Sequence, residues 1–86
     1  MFFVYVLYSV NFDRNYVGIT QDVKARLVQH NKGLNQSTKA FMPWLVVHTE
    51  EFGTRLESRN REKYLKSAAG RRWRKMNIIR PRGATE

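Results

Sequence analysis

Four side chains with the reach for acid–base and phosphate chemistry fall in two pairs. Tyr5 and Tyr16 lie on two neighbouring apolar runs, and Arg26 and His30 stand four residues apart in the segment that follows. On a helix, that spacing puts both on one face. A planar guanidinium grips phosphate oxygens in a way an ammonium cannot copy, and an imidazole can give or take a proton near neutral pH. A phenol, with a free pKa of about 10, is a poor base unless nearby cations favour its ionised form. Carboxylates are scarce: they are Asp13, Asp22, Glu50, Glu51, Glu57, Glu62 and Glu86. Helix capping accounts for Glu57 and a turn for Asp13, and Glu86 is the last residue. Two-metal phosphodiester chemistry needs several carboxylates around ions about 3.5–4 Å apart. A chain with so few spare acids would use one ion, held by one carboxylate and the substrate phosphate. Magnesium suits that arrangement because it keeps most of its waters. Each residue also has an ordinary reading. The tyrosines could be strand aromatics with surface hydroxyls, Arg26 could pair with Asp22, His30 could end a helix, and Glu62 could pair with Lys66.

The elements that must position these groups follow from periodicity and caps. Residues 2–9 and 15–19 read as strands, joined by the polar link Asn11-Phe12-Asp13-Arg14-Asn15 into a hairpin. Asp22 to Asn31 carries Val23, Leu27 and Val28 at helical spacing, with Gly33 as the stop. The polar stretch from Lys32 to Met42 has no clear period and reads as a surface loop. Pro43 introduces a third strand, Trp44 to Glu50. Thr54-Arg55-Leu56-Glu57 fits a capping box and opens a helix expected to run to about Ala69. Gly70 is expected to break it, and Arg71 to Ile79 to form a short last helix, with Trp73, Met76 and Ile79 near helical spacing. The order β-β-α-β-α-α implies an α+β fold, a small three-stranded antiparallel sheet flanked by helices. Residues 1–80 form the expected domain and 81–86 a flexible tail.

With 86 residues there is room for one core only. The absence of cysteine excludes a disulfide framework, a thiolate metal site and a cysteine nucleophile. A secreted domain this small would usually need staples, so a cytoplasmic location is expected. The apolar start, Met1 to Val10, is too short to span a bilayer and reads as a buried strand, not a signal or anchor. Charge is uneven. Residues 1–54 carry five basic and four acidic side chains, whereas residues 55–86 carry eleven and three. That asymmetry predicts one strongly positive surface suited to phosphate backbones. A membrane surface fits less well, because the basic segments lack a continuous apolar face.

Phe3-Val4-Tyr5 and Tyr16-Val17-Gly18, followed by Arg26 and His30, resemble the signature of the GIY-YIG nucleases. The likeness continues through Tyr16-Val17-Gly18-Ile19-Thr20, Arg26-Leu27-Val28-Gln29-His30-Asn31, Pro43-Trp44, Glu50-Glu51-Phe52 and Arg61-Glu62-Lys63-Tyr64-Leu65-Lys66-Ser67. Together these blocks resemble small stand-alone bacterial members and span roughly residues 3–72. Each block alone is weak; their joint order is specific. The family includes intron-homing endonucleases, some restriction enzymes and the incision subunit of bacterial excision repair. There are departures: the first triplet lacks its glycine and isoleucine, and Ile19 stands where a lysine is sometimes found. Asn77 is the one candidate for an asparagine that many relatives carry after the glutamate helix.

The resemblance implies a metal-dependent endonuclease acting on DNA, in repair or recombination. It implies Tyr5, Tyr16, Arg26, His30 and Glu62 as the catalytic set, and Glu62 as the ligand of Mg²⁺, with Mn²⁺ as a substitute. It leaves open which tyrosine activates the water. Lys39, Arg61, Lys66, Arg71 and Arg72 are the expected DNA contacts, and Trp44 and Trp73 are expected in the core. Branched, nicked or single-stranded DNA are the candidate substrates. Specificity would come from structure-selective activity, a second copy or a separate partner. The alternative is a non-catalytic nucleic-acid-binding module that keeps the fold and the basic face.

Overall fold

The computed structural model describes residues 1–78; the expected tail, 81–86, and the end of the expected 1–80 domain lie outside them. Three strands, β1 (Phe2–Ser9), β2 (Arg14–Thr20) and β3 (Leu45–Phe52), combine with three helices, α1 (Val23–Asn31), α2 (Arg55–Lys66) and α3 (Ala68–Asn77). The order is the expected β-β-α-β-α-α, and the sheet is antiparallel with strand order β2-β1-β3. Hence β2 and β3 are both edge strands. Among the described residues no helix is long and apolar enough to cross a membrane.

Central strand β1 is buried on both faces, which is why its sequence is a continuous apolar run instead of an alternating one. Val4 and Val6, with Val17 from β2, pack against Leu65 of α2 and Trp73 of α3. Tyr5 and Leu7 point the other way and pack with Trp44 and Leu27 of α1. The sheet therefore sits between α2–α3 on one face and α1 with its following loop on the other. Strand β3 changes allegiance partway: Val6 pairs with His48 but Leu7 with Val46, so Val47 is extra, a β-bulge. Val46 therefore joins the α1 face while His48, Glu50 and Phe52 meet α2 and α3.

The caps follow local chemistry. The Asp22 carboxylate accepts the Ala25 N–H at 3.0 Å, and Gly33 leaves the helix at φ 76°, a left-handed value that suits glycine. Thr54 accepts the Glu57 N–H at 3.2 Å, but Glu57 takes the threonine hydroxyl instead of reaching back to the backbone. The helix break expected at Gly70 falls at Ser67 instead. α2 ends at Lys66, and Ser67 serves both as its C-cap and as the N-cap of α3, where it accepts the Gly70 N–H at 3.1 Å. Gly70 lies inside α3 for a different reason. A Cβ there would strike the Tyr64 carbonyl oxygen and come within 2.5 Å of Leu65 Cα, so only glycine lets α3 fold back this closely on α2. Within α3, Trp73 packs on the core whereas Met76 is exposed, and Ile79 lies outside the described residues.

Candidate active site

The register pairs Tyr5 with Gly18 and Leu7 with Tyr16, so both tyrosines project from the face that α1 covers. Gly18 makes room for them. A Cβ on it would lie 2.6 Å from Tyr5 Oη and 2.7 Å from Cζ, so the ring leans over the backbone of the neighbouring strand. The two tyrosine rings stand 6.2 Å apart between centroids, and the His30 ring lies 5.9 Å from Tyr5 and 5.0 Å from Tyr16.

His30 is fully buried with both nitrogens engaged. Nε2 shares a hydrogen bond with the Tyr5 hydroxyl at 3.0 Å, and Nδ1 shares one with the Thr38 hydroxyl at 2.8 Å. Each hydroxyl can donate or accept, so the neutral ring is satisfied in either tautomer. Burial, and then the Arg26 charge, hold its pKa below the ordinary value. The fold thus builds a neutral, clamped imidazole and not a charged helix end. Burial, and then Tyr16, push the Tyr5 hydroxyl far above the usual phenol range; Arg26 opposes that rise and Glu62 adds to it. Tyr5 therefore stays protonated at physiological pH.

Thr38 is a site residue that sequence reasoning missed. It sits in the aperiodic loop, yet it is buried because the loop is pinned down. The Asn31 amide donates to the Trp44 carbonyl at 3.0 Å and accepts its N–H at 2.7 Å, while Trp44 Nε1 donates to the Thr38 carbonyl at 3.0 Å. Only Lys39–Phe41 of this loop is a helical turn, of the 3-10 type.

Arg26 donates from Nη1 to Gln29 Oε1 at 3.2 Å instead of pairing with Asp22, whose carboxylate is spent on the cap. Glu62 arrives from α2, where Arg55, Arg59 and Glu62 form one stripe at helical spacing. The stripe meets the sheet at the free edge of β2. Tyr5, Tyr16, Gly18, Arg26, Arg59 and Glu62 accordingly line one open pocket of about 610 Å³, with His30 bonded behind Tyr5. The Glu62 carboxylate, largely buried, accepts Lys66 Nζ at 2.9 Å, and that ammonium also lies 6.0 Å from the centre of the Tyr16 ring. Among the described residues no group of three or more histidines, aspartates or glutamates gathers as a metal cage.

The expected DNA contacts divide. Lys39, Arg71 and Arg72 are exposed, and Lys66 is exposed though paired with Glu62. Arg61 is partly buried and already paired: Nε and Nη2 donate to the Glu50 carboxylate at 2.8 and 3.1 Å, and the guanidinium lies 4.8 Å over Trp73. Burial works to raise the Glu50 pKa, but hydrogen bonds from Arg61 and His48 outweigh it and hold the carboxyl below its usual range. Arg61 thus ties α2 to β3, while Arg55 and Arg59, which sequence reasoning passed over, stand on the pocket wall. Asn77 donates to the Trp73 carbonyl at 2.9 Å at the end of α3, outside the lining of the pocket.

Residues 1–77 match the model of the GIY-YIG catalytic domain. No curated protein and no solved structure matches the chain.

Proposed function

Because the chain belongs to the GIY-YIG family, a family of nucleases, we propose that it is a metal-dependent endonuclease that hydrolyses DNA phosphodiester bonds. The observation that carries this reading is that one pocket at the β2 edge is lined by Tyr5, Tyr16, Arg26 and Glu62 from four different elements. Nothing in a merely structural role requires a buried tyrosine, an arginine fork and a carboxylate to open onto the same cavity.

The donor set fits a hard divalent ion. Two carboxylates line the pocket, Asp22 with Oδ1 on the α1 cap and Glu62 with Oε2 on Lys66, and the family resemblance points to Glu62 as the ligand. One carboxylate plus substrate phosphate is a mode by which Mg²⁺, with Mn²⁺ as a substitute, is commonly held. When bound, such an ion neutralises charge on the phosphoryl and leaving oxygens. The chain's own groups do the rest. Arg26 offers its fork to the scissile phosphate, with Arg55 and Arg59 drawing the strand into the pocket. Tyr16, half-buried at the pocket wall, orients the attacking water by accepting its hydrogen bond. Tyr5, protonated and fixed by His30, holds its hydroxyl where it can bond a phosphate oxygen, and Thr38 fixes His30 in turn. Repair or recombination is the proposed setting, with a second copy or a separate partner supplying specificity.

A second reading has one observation in its favour: Lys66 already neutralises Glu62 at 2.9 Å, as it would in a module that binds DNA without cutting it. Nicked, branched and single-stranded DNA incubated with Mg²⁺ or Mn²⁺, then with EDTA, separate the two. Cleavage that needs the ion and is lost in Glu62→Ala supports the nuclease; binding without cleavage in every condition supports the module.

A further inference from the structure

Tyr16 forms part of a second, more open groove of about 480 Å³, bounded by the start of β2 and by Lys66, Arg71 and Arg74 at the α2–α3 junction. Resting on the nuclease reading, we propose that this groove seats the phosphodiester next to the scissile one on the same DNA strand, with Arg74 as its anchor.

Arg74 is the unusual residue here. It is only 7% exposed, and among the described residues Nε alone has a protein acceptor, the Leu65 carbonyl at 2.9 Å. Among the described residues no carboxylate pairs with it. Burying a charge without a partner is costly, and a leucine or methionine would fill the same space without that cost. Its two terminal nitrogens are not among the buried atoms left without a partner, and Arg74 lines the groove. Burial, and then the Arg71 charge, pull its pKa below the ordinary arginine value. A largely buried cation that lines an open groove, with no carboxylate on it among the described residues, suits an anion from outside.

The fork's direction is fixed by the backbone. Gly70 lets α3 approach α2 so closely that Arg74 Nε reaches the Leu65 carbonyl, which leaves the far side of the guanidinium as a preset pair of donors. Such a fork matches two oxygens of a phosphate. Asp13 is the acid of this groove. It accepts the Tyr8 hydroxyl at 2.7 Å, and among the described residues it makes no ion pair, so it does not neutralise Arg74. Tyr16 borders both grooves, and Lys66 lies against its ring while bonding Glu62 of the first pocket. A strand whose scissile phosphate enters the first pocket therefore meets the second at its next linkage.

The test follows Arg74 in the full wild-type chain, without divalent ion, through its side-chain Nε–Hε signal in nitrogen–proton correlation spectra. The probes are inorganic phosphate, a thymidine dinucleotide with one phosphodiester, and single-stranded thymidine trimers to hexamers. The expected result is saturable shifts at Arg74 and Arg71 with trimers and longer strands, and little with the dinucleotide. Arg71→Ala should reduce the salt slope of hexamer binding by about 0.7, the value for one single-strand phosphate contact. Arg74→Lys, which keeps charge but loses the fork, should weaken binding about 10-fold. A response to inorganic phosphate alone overturns the strand assignment and leaves a free-anion site. An Arg74 signal that ignores every strand, in a protein that cuts DNA, overturns the subsite and spares the nuclease. Arg74 responding in a protein that cuts nothing removes only the nuclease reading. Because the wild-type signal is read directly, a poorly folding Arg74 variant does not blunt the test.

Discussion

Gly18→Ala tests whether the tyrosine pair is held as the structure has it. Backbone terms favour the change. Gly18 has no positive φ, so alanine should stabilise by about 0.4–1 kcal/mol through the unfolded chain. Packing opposes it. The new Cβ would sit 2.6 Å from Tyr5 Oη, where carbon contacts normally begin at about 3.5 Å. The ring must retreat by roughly 1 Å, yet Tyr5 is 2% exposed and bonded to His30. Overpacking of this kind costs about 1–3 kcal/mol, which leaves a net loss between about 0 and 2.6 kcal/mol, centred on about 1.3 kcal/mol. At about 4–8 °C per kcal/mol for a domain of this size, thermal melts should fall by roughly 5–10 °C at the centre of that range and by about 20 °C at most. Displacing a site group by about 1 Å should also slow single-turnover cleavage about 10²-fold. In a Tyr5→Ala background the obstacle is gone, so the same alanine should cost nothing or stabilise. A Gly18→Ala protein that melts at or above the wild-type temperature and cuts at the wild-type rate refutes the reasoning. So does an equal penalty in both backgrounds.

Glu62→Gln should keep the fold, since the Lys66 pair is worth about 0.3–0.5 kcal/mol, yet lose cleavage by more than about 10²-fold; a variant as fast as wild type in a gel assay removes the ion site. His30 is neutral when folded and its pKa is depressed, so the unfolded chain binds the extra proton. Stability should be full above about pH 6.5 and decline as pH falls below it, and denaturant titrations should show that decline flattened in His30→Asn. Glu50, also depressed, contributes stability above its unfolded pKa of about 4.3 that is lost as pH falls through the folded value. Arg61→Ala should remove that component while leaving the neutral-pH cleavage pocket intact. Gly70→Ala should destabilise by more than about 2 kcal/mol because backbone atoms of Tyr64 and Leu65 block the methyl. Helix propensity alone calls for a gain of up to about 1 kcal/mol, so a calorimetric gain contradicts the packing account.

Local chemistry made much of this fold readable. The apolar run of β1, the Asp22 cap, the left-handed Gly33 and the Thr54 cap each act over a few residues, and the structure uses them as their types suggest. What escaped was set by contacts between elements. Gly70 reads as a helix breaker by type, but its role comes from the neighbouring helix, and Ser67 makes the break. Thr38 carries no local signal, because it becomes a partner of His30 only after Asn31 and Trp44 pin the loop. Arg61 looks like any helical arginine until β3 brings Glu50 to it, and the bulge that turns Glu50 toward α2 is invisible in the alternation of β3. Tyr5, Tyr16, Arg26 and Glu62 were reachable because the family pattern encodes a three-dimensional cluster that single-residue odds do not.

Manganese-induced line broadening in the wild-type chain addresses the central claim, that one pocket gathers groups from four elements around a cation. Signals of Glu62 and its neighbours on α2 should broaden first, together with Tyr16, Gly18 and Arg26 across the pocket, and the pattern should vanish in Glu62→Ala. Broadening centred on Glu50 and Glu51 or on Asp13 instead, or a pattern unchanged by Glu62→Ala, contradicts the account.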